Sequence, residues 1–359
     1  MFKAAAQWNN GPVKTIGIDC RFAGTRSGLG RYTRAIVTEL LRRKDPVRYI
    51  LFVRSEKEEW IEHARHIADC RLQIADFAHY SLAEQIIFPK VFRKSRIDLL
   101  FSPHFNVPLL CPVPFVATIH DLILHRHPGD ASFLKRTAYR MQMAFTIKRA
   151  KAILAVSSFT ALEIGGAYGP PAHRKCHVTG EGVEDAFHPA SIASVAAVRT
   201  RYGLQQPFFL YVGSGKGHKN VPFLIDAFAK ADLNAKQLVL VMPSPPPHLP
   251  KNVLHLPVVS DEDLPALYSA AECFTTASLY EGFCLPVAEA LSCGCPVIAM
   301  QSTAIPETAK GQAMLIAPTV DAWVQALQNP PVRPVQYRRP LWREAAERTV
   351  KVLTEGNEQ

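Results

Sequence analysis

The chain has 359 residues, 48% of them hydrophobic and 20% charged, the profile of a soluble globular protein long enough for two domains. It contains no run of about eighteen apolar residues and no signal-peptide pattern, and the polar start MFKAAAQWNNGPVK is expected to fray. The net charge is +10, with the whole surplus in the first half: residues 1–190 hold 27 Lys and Arg against 17 Asp and Glu, and residues 191–359 hold 14 of each. A basic half can meet nucleic acid, an anionic bilayer face or an anionic substrate, or can simply be a soluble surface, and composition alone does not choose.

Eight cysteines occur, Cys20, Cys70, Cys111, Cys176, Cys273, Cys284, Cys293 and Cys295, and none makes a CxxC pair. Cys293-x-Cys295 has no histidine nearby and is a poor zinc signature. Most sit in apolar contexts, so reduced, buried thiols of a cytosolic protein are expected.

In chain order, Val13 to Asp19 reads as a first strand. Ser27-Gly28-Leu29-Gly30 is a glycine-rich turn feeding a helix from Arg31 to Arg43, with Tyr32, Ile36, Leu40 and Leu41 inward. Gly28 and Gly30 would let backbone approach a ligand closely, although a lone GxG is a weak signal. Arg48 to Arg54 is a second strand, Ser55 to His66 a charged helix, Leu72 to Ala75 a short strand, Ser81 to Lys94 a helix and Ile97 to Ser102 a buried strand. Phe115, Val116, Ala117 and Ile119 form a strand that delivers His120 and Asp121 to its carboxyl end. His120 reads either as a core histidine or as an active-site group, while Asp121 is expected to orient the turn. Ser132 to Ala150 is a long helix with Leu134, Tyr139, Met143 and Ile147 on or near one face. Its basic remainder either faces a bilayer or is an ordinary surface, the latter preferred. Ala152 to Ser157 is strand-like, and Ser157 is placed to cap the next helix.

A polar helix ending at Gly203 marks an interdomain linker near 190–206, and Phe208 to Gly213 opens the second half. The following SGKGHKN loop holds Ser214, Lys216 and Lys219 before a helix from Val221, either as an anion-binding nest or as a solvated loop. Gln237 to Met242 and Val253 to Leu256 are strands, and Asp261 to Ala270 is a helix. The most informative stretch is Ser278 to Ala299. A strand ends near Ala277, Pro286 suits a first helical position, Gly294 a helix end, and Pro296 to Ala299 is a short buried strand. In such a unit ligands bind beyond the carboxyl ends of the strands, and N–H groups around Phe283, Cys284 and Leu285 suit a diphosphate. Glu281 and Glu289 lie eight residues apart, one before the helix and one within it, placed to grip one ligand from two directions.

The string Glu281, Gly282, Phe283, Leu285, Pro286, Glu289, Cys293, Gly294, Pro296, Val297 resembles the retaining family 4 glycosyltransferases of the GT-B fold. Further matches follow in family order: Gly28, Gly30, Arg31 and Tyr32; Val156 and Ser157; Gly213, Lys219 and Asn220; Tyr268, Ala270 and Ala271; and the loop Ser302 to Glu307. The resemblance implies an α/β architecture of two doubly wound, Rossmann-like domains facing a cleft. Residues 1–190 would form the acceptor-side domain, 191–340 the nucleotide-sugar domain, and a helix in 341–359 would cross back to the first. It implies that Lys219, the Gly213 loop and the N–H groups after Glu281 hold a donor diphosphate, with Glu289 on the ribose and Glu281 and His120 on the sugar. Where the family carries Arg this chain has Ser214, with Lys216 as a candidate substitute.

A nucleotide-sugar is then a substrate, and neither a cofactor nor a metal is expected, in keeping with the absence of a DxD-type clamp. The likeness to bacterial mannosyltransferases of polysaccharide assembly points to GDP-mannose. A UDP-sugar is nearly as good a donor, and a nucleotide-sugar epimerase is the more distant alternative. The acceptor implied is a glycan or a polyprenyl-diphosphate-linked sugar, met in the cytoplasm or at the anionic inner face of a membrane. Nucleic acid is not expected, because stacked-aromatic and helix-turn-helix signals are lacking.

Overall fold

Continuous apolar runs form the central strands of two parallel sheets, as expected where both faces of a strand are covered. The computed structural model describes residues 13–355, apart from 26, 68–69, 128, 130–131 and 335–336. The polar start up to residue 12 and the end of the 341–359 segment lie outside the described residues. The first sheet contains β1 (Lys14–Asp19), β2 (Val47–Val53), β3 (Arg71–Ile74), β4 (Leu99–Ser102), β5 (Phe115–Ile119), β6 (Ala152–Ala155) and β7 (Cys176–Val178) in the order β3-β2-β1-β4-β5-β6-β7. The second contains β8 (Phe208–Val212), β9 (Gln237–Val241), β10 (Val253–Leu256), β11 (Cys273–Thr276), β12 (Val297–Met300) and β13 (Met314–Ile316) in the order β10-β9-β8-β11-β12-β13. All pairings are parallel, with Ile16 beside Leu99 and Phe274 between Leu210 and Val297. Strand order reverses between β1 and β4 and again between β8 and β11. Loops leaving the carboxyl ends at such switch points are where ligands bind in doubly wound sheets. They are the loop that leads into the helix of Gly28 and Gly30 after β1 and the loops that carry Lys219 after β8 and Glu281 after β11.

Helix Trp342–Glu355 returns to the first sheet. Trp342, Ala346, Val350 and Leu353 repeat with helical spacing and pack with Ile36 and Leu40 of helix Gly28–Arg42. Burying each of the larger side chains contributes roughly 1.5–3 kcal/mol. The Lys14 ammonium donates to the Leu353 carbonyl at 2.6 Å, the Arg348 guanidinium to the Thr179 carbonyl at 2.8 Å, and the Val183 N–H to the Pro340 carbonyl at 2.9 Å.

Several expected boundaries move for physical reasons. Ser27 caps the first helix through the Gly30 N–H, so the helix begins at Gly28 and both glycines belong to its first turn. The second helix starts at Glu59 rather than Ser55, and the helix expected from Asp261 starts at Leu264, where Pro265 occupies the first turn. Helix Phe133–Arg149 buries Met143, Thr146 and Ile147, whereas Leu134, expected on or near the same face as Met143 and Ile147, is 79% exposed. All eight cysteines are free, six of them buried.

Candidate active site

The second domain builds its share of the site on two loops. After β8, the Gly213 N–H donates to the Val241 carbonyl at 3.0 Å, and a Cβ at Gly213 would lie 2.6 Å from the Tyr211 hydroxyl. That hydroxyl donates to the Ser214 carbonyl at 2.8 Å, so Ser214 shapes the loop through its backbone. Lys216 stands exposed where a three-residue turn, Gly217–Lys219, begins. Lys219 Nζ reaches Glu281 Oε1 at 2.6 Å, a pair that is mostly buried. Burial works against the lysine charge, Glu281 outweighs it, and the Lys219 pKa is raised.

After β11, the chain passes Glu281 and enters helix Leu285–Ser292. Cys284 precedes it with φ +75°, in the left-handed region, and no side chain caps this end. The N–H groups of Phe283 and Cys284, just before the helix, and of Leu285, its first residue, therefore have no side-chain acceptor from a capping residue, and the helix dipole adds to their attraction for an anion. Pro286 occupies the first turn, and Gly294 follows the helix with φ +69°, both as their residue types suggest.

One turn into that helix, Glu289 is buried. Its Oε2 accepts from the Tyr268 hydroxyl at 2.9 Å, and its Oε1 lies 2.7 Å from Arg31 Nη1 of the first domain. Burial pushes the Glu289 pKa up against the opposing pull of Arg31. Arg31 also forks onto Glu184 at 2.5 and 2.6 Å. Gly28 faces open space, but a Cβ on Gly30 would sit 2.2 Å from the Thr25 carbonyl, so Gly30 serves its own tight loop. Arg31 and Glu184 border a cavity of about 1220 Å³ that continues along the first helix past Arg34 and Trp60.

The first domain contributes His120 at the end of β5. Its Nδ1 lies 3.0 Å from Glu181 Oε1 and its Nε2 2.9 Å from the Pro103 carbonyl, with the Tyr32 ring edge-on at 4.5 Å. Two acceptors facing both ring nitrogens favour the imidazolium. Burial opposes the charge, Glu181 outweighs burial, and the pKa is raised. Asp121 Oδ1 accepts from the Ile123 N–H at 2.9 Å and orients the turn. Glu181, after β7, is a site neighbour that sequence reasoning missed; its glycine-flanked position at a strand end was the available signal. Glu181→Gln is expected to lower the His120 pKa, read from the imidazole titration by NMR. A raised folded pKa contributes stability that is complete below the ordinary value of about 6.5 and fades as pH rises through the folded value. The melting-temperature loss of this variant is therefore larger at about pH 5.5 than at about pH 9, and an equal loss at both would contradict the pairing.

The two domains meet at this point. A Cβ on Gly282 would lie 1.8 Å from the His120 carbonyl oxygen. The Ser157 hydroxyl, which caps its own helix through the Thr160 N–H, donates to the Gly282 carbonyl at 2.6 Å. The Tyr280 hydroxyl accepts from the Leu122 N–H at 2.8 Å and donates to Glu163. Glu307 crosses to cap helix Ser158–Tyr168, accepting from Ser158 N at 2.9 Å and Phe159 N at 3.2 Å. The segment Ser302 to Glu307 thus ties the domains together through Glu307. Glu281 and Lys219 stand beside the His120 junction, and Glu289 one helical turn away beside Arg31. Lys216 makes no ion pair with them among the described residues. No three His, Cys, Asp or Glu side chains among the described residues gather as metal ligands would.

Residues 26–187 match the family described as Glycosyltransferase Family 4, and residues 206–329 match Glycosyl transferases group 1. O-antigen chain mannosyltransferase B of Escherichia coli is 28% identical over 323 residues, covering 81% of this chain and 83% of that protein. Among solved structures, sucrose-phosphate synthase from Thermosynechococcus elongatus superposes with a TM-score of 0.69 at 19% identity, covering 94% of each chain. HepE from Anabaena in complex with UDP-glucose gives 0.69 at 16% identity, covering 95% of this chain and 99% of that one. These two likenesses bear on the fold alone, two Rossmann-like domains of the GT-B type. Matched in both halves, the chain belongs to the glycosyltransferases, joining a family 4 domain to a group 1 domain.

Proposed function

We propose that the protein transfers mannose from GDP-mannose, with retention of anomeric configuration, to a glycan acceptor carried on a polyprenyl-diphosphate lipid in surface polysaccharide synthesis. The observation that carries this reading is the buried Lys219–Glu281 pair at 2.6 Å, beside the junction of Gly282 with the His120 carbonyl. Each partner of the pair carries a group that a sugar-nucleotide donor needs. Lys219 has the charge for a departing diphosphate, and Glu281 has the acceptor oxygens for sugar hydroxyls. Donor entry divides the pair: the diphosphate takes Lys219 and the backbone N–H groups at Phe283, Cys284 and Leu285, and the sugar takes Glu281.

Charge building on the leaving oxygen is met by these preorganised groups, a contribution that can reach several kcal/mol in a site closed to water. In this proposal Lys219 and the helix end perform that task without a metal ion. Glu289 takes the ribose hydroxyls once Arg31 swings onto Glu184 alone, and Gly28 leaves room for the diphosphate. His120 gives up the Pro103 carbonyl to contact the sugar through Nε2, while Glu181 holds its other nitrogen.

The escort of mannosyltransferases among relatives favours GDP-mannose, and the UDP-glucose bound to HepE keeps a UDP-sugar as the second reading. A thermal-stabilisation screen of GDP- and UDP-sugars separates them, since a ligand that binds the native state adds about 2.7 kcal/mol of stability at a hundredfold excess over Kd and so raises the melting point. GDP-mannose is expected to give the largest shift and to release GDP on turnover. A larger shift with a UDP-sugar would select the second reading, and no shift with any sugar nucleotide would sink both.

A further inference from the structure

His120 Nε2 meets the Pro103 carbonyl at 2.9 Å, and the next residue, His104, belongs to a cluster that the proposed transfer leaves unused. The base of that cluster is charged and buried. Arg21, just past β1, forks onto Asp19 at 2.8 and 2.7 Å, and its Nη2 also reaches Glu84 Oε1 at 2.6 Å. The Phe88 ring lies 4.1 Å from the guanidinium, and both Glu84 oxygens accept from the Asn106 amide at 3.0 Å. Charge-assisted bonds thus fasten β1, the start of helix Leu82–Ser95 and the turn after β4 to one another.

Four rings gather around this base. Phe22 stacks face to face on His79 with centroids 3.6 Å apart, His104 tilts against Phe22 at 5.0 Å, and Tyr80 meets His104 edge-on at 6.4 Å. Phe22, His79 and His104 are half-buried, and Tyr80 is 62% exposed. Tyr80 also has φ +62°, in the left-handed region that residues with a Cβ disfavour. Glu84 imposes that conformation, its Oε2 accepting from the Tyr80 N–H at 2.7 Å, while Ser81 caps the following helix through the Glu84 N–H. A strained residue whose ring is turned out of the core marks a functional position.

His104 is prepared as a donor. Its Nδ1 accepts from the Asn106 N–H at 3.2 Å, which leaves the ring proton on Nε2. Burial, with His120 and His79 nearby, holds its pKa well below the usual histidine range, so the ring stays neutral at neutral pH. Aromatic faces beside a directed N–H suit a pyranose, whose C–H face lies on a ring while its oxygens take hydrogen bonds. A phosphate group would not be drawn here, because the Arg21 charge is spent on Asp19 and Glu84.

We propose that Tyr80 and His104 determine acceptor specificity: the tyrosine ring stacks on the apolar face of an acceptor pyranose, and His104 Nε2–H donates to one of its oxygens. Together they select which hydroxyl is presented beside His120. This deepens the proposed function and rests on that reading for calling the sugar an acceptor.

The test is saturation-transfer NMR on the full chain with GDP present, using the methyl pyranosides of mannose, glucose, galactose and N-acetylglucosamine. At least one is expected to receive saturation at its ring protons. Tyr80→Gly is expected to weaken that binding about tenfold while melting near or above wild type, since glycine removes the backbone strain. His104→Phe, which keeps a ring and loses the donor, is expected to weaken it up to about tenfold, and His104→Gln, which keeps an N–H, to recover much of the loss. The rise in melting temperature caused by GDP is expected to be the same in all these proteins. Failure of wild type to bind any of the four pyranosides, or equal binding by wild type, Tyr80→Gly and His104→Phe, overturns the proposal. Loss of the GDP response in Tyr80→Gly would overturn it too, assigning the rings to the nucleotide. Pyranoside binding with these losses in the variants, but no response of wild type to any sugar nucleotide, would refute the transferase reading and leave the pyranose site standing.

Discussion

Gly282→Ala is expected to abolish most turnover while leaving donor binding largely intact. The added methyl would fall 1.8 Å from the His120 carbonyl oxygen, a backbone atom fixed at the end of β5, which no rotamer change can relieve. Positive φ plays no part, since Gly282 is absent from the left-handed glycines. The strain is relieved only by moving the loop from β5, which also breaks the Ser157 hydrogen bond to the Gly282 carbonyl. Overpacking of this kind costs about 1–3 kcal/mol. A displacement near 1 Å between groups that must act together lowers the rate by roughly 100-fold. The loop holding Lys219 belongs to the second domain and moves with Glu281, so nucleotide affinity should change little. Steady-state kinetics and small-angle scattering check this: kcat should fall with KM for the donor nearly unchanged, and the molecule should open. Wild-type kcat would show that contact at Gly282 is not required.

Lys219→Met is expected to reduce kcat by roughly 100- to 1000-fold, the scale of removing one preorganised donor from a transition-state oxyanion. It also leaves Glu281 as an unpaired carboxylate in a mostly buried position. Breaking such a pair costs about 3–5 kcal/mol. The double variant Lys219→Met/Glu281→Gln removes both charges and should recover most of that stability without recovering turnover. The separation of the two readouts distinguishes a catalytic lysine from a structural one. Recovery of turnover together with stability would assign Lys219 to the fold alone.

Local chemistry made the helix Leu285–Ser292 readable, because Pro286 and Gly294 carry its ends in their residue types. His120 was readable as the residue following an apolar run that had to be a central strand. Its partner Glu181 was not, since 61 residues and two strands separate them. The same holds for Glu307, which caps a helix 149 residues earlier, and for the Tyr280–Glu163 bond. Contacts between domains leave no periodicity in either partner. Gly30 was read as making room for a ligand, whereas its close neighbour is the Thr25 carbonyl of its own loop. Leu134 was grouped with Tyr139, Met143 and Ile147 on or near one face, because spacing identifies a stripe but not the side on which the sheet lies. In this helix the sheet takes Met143 and Ile147 and leaves Leu134 outside.

Calorimetric titration of GDP-mannose into wild type and Lys219→Met most directly tests whether a diphosphate occupies the place now held by the lysine–glutamate pair. Wild type should bind with a single site per chain, and the variant should lose at least about tenfold in affinity, one charge-assisted hydrogen bond of 1.5–3 kcal/mol being removed. Equal affinity in the two proteins would mean that the diphosphate lies elsewhere, and the site built around Lys219 and Glu281 would have to be abandoned.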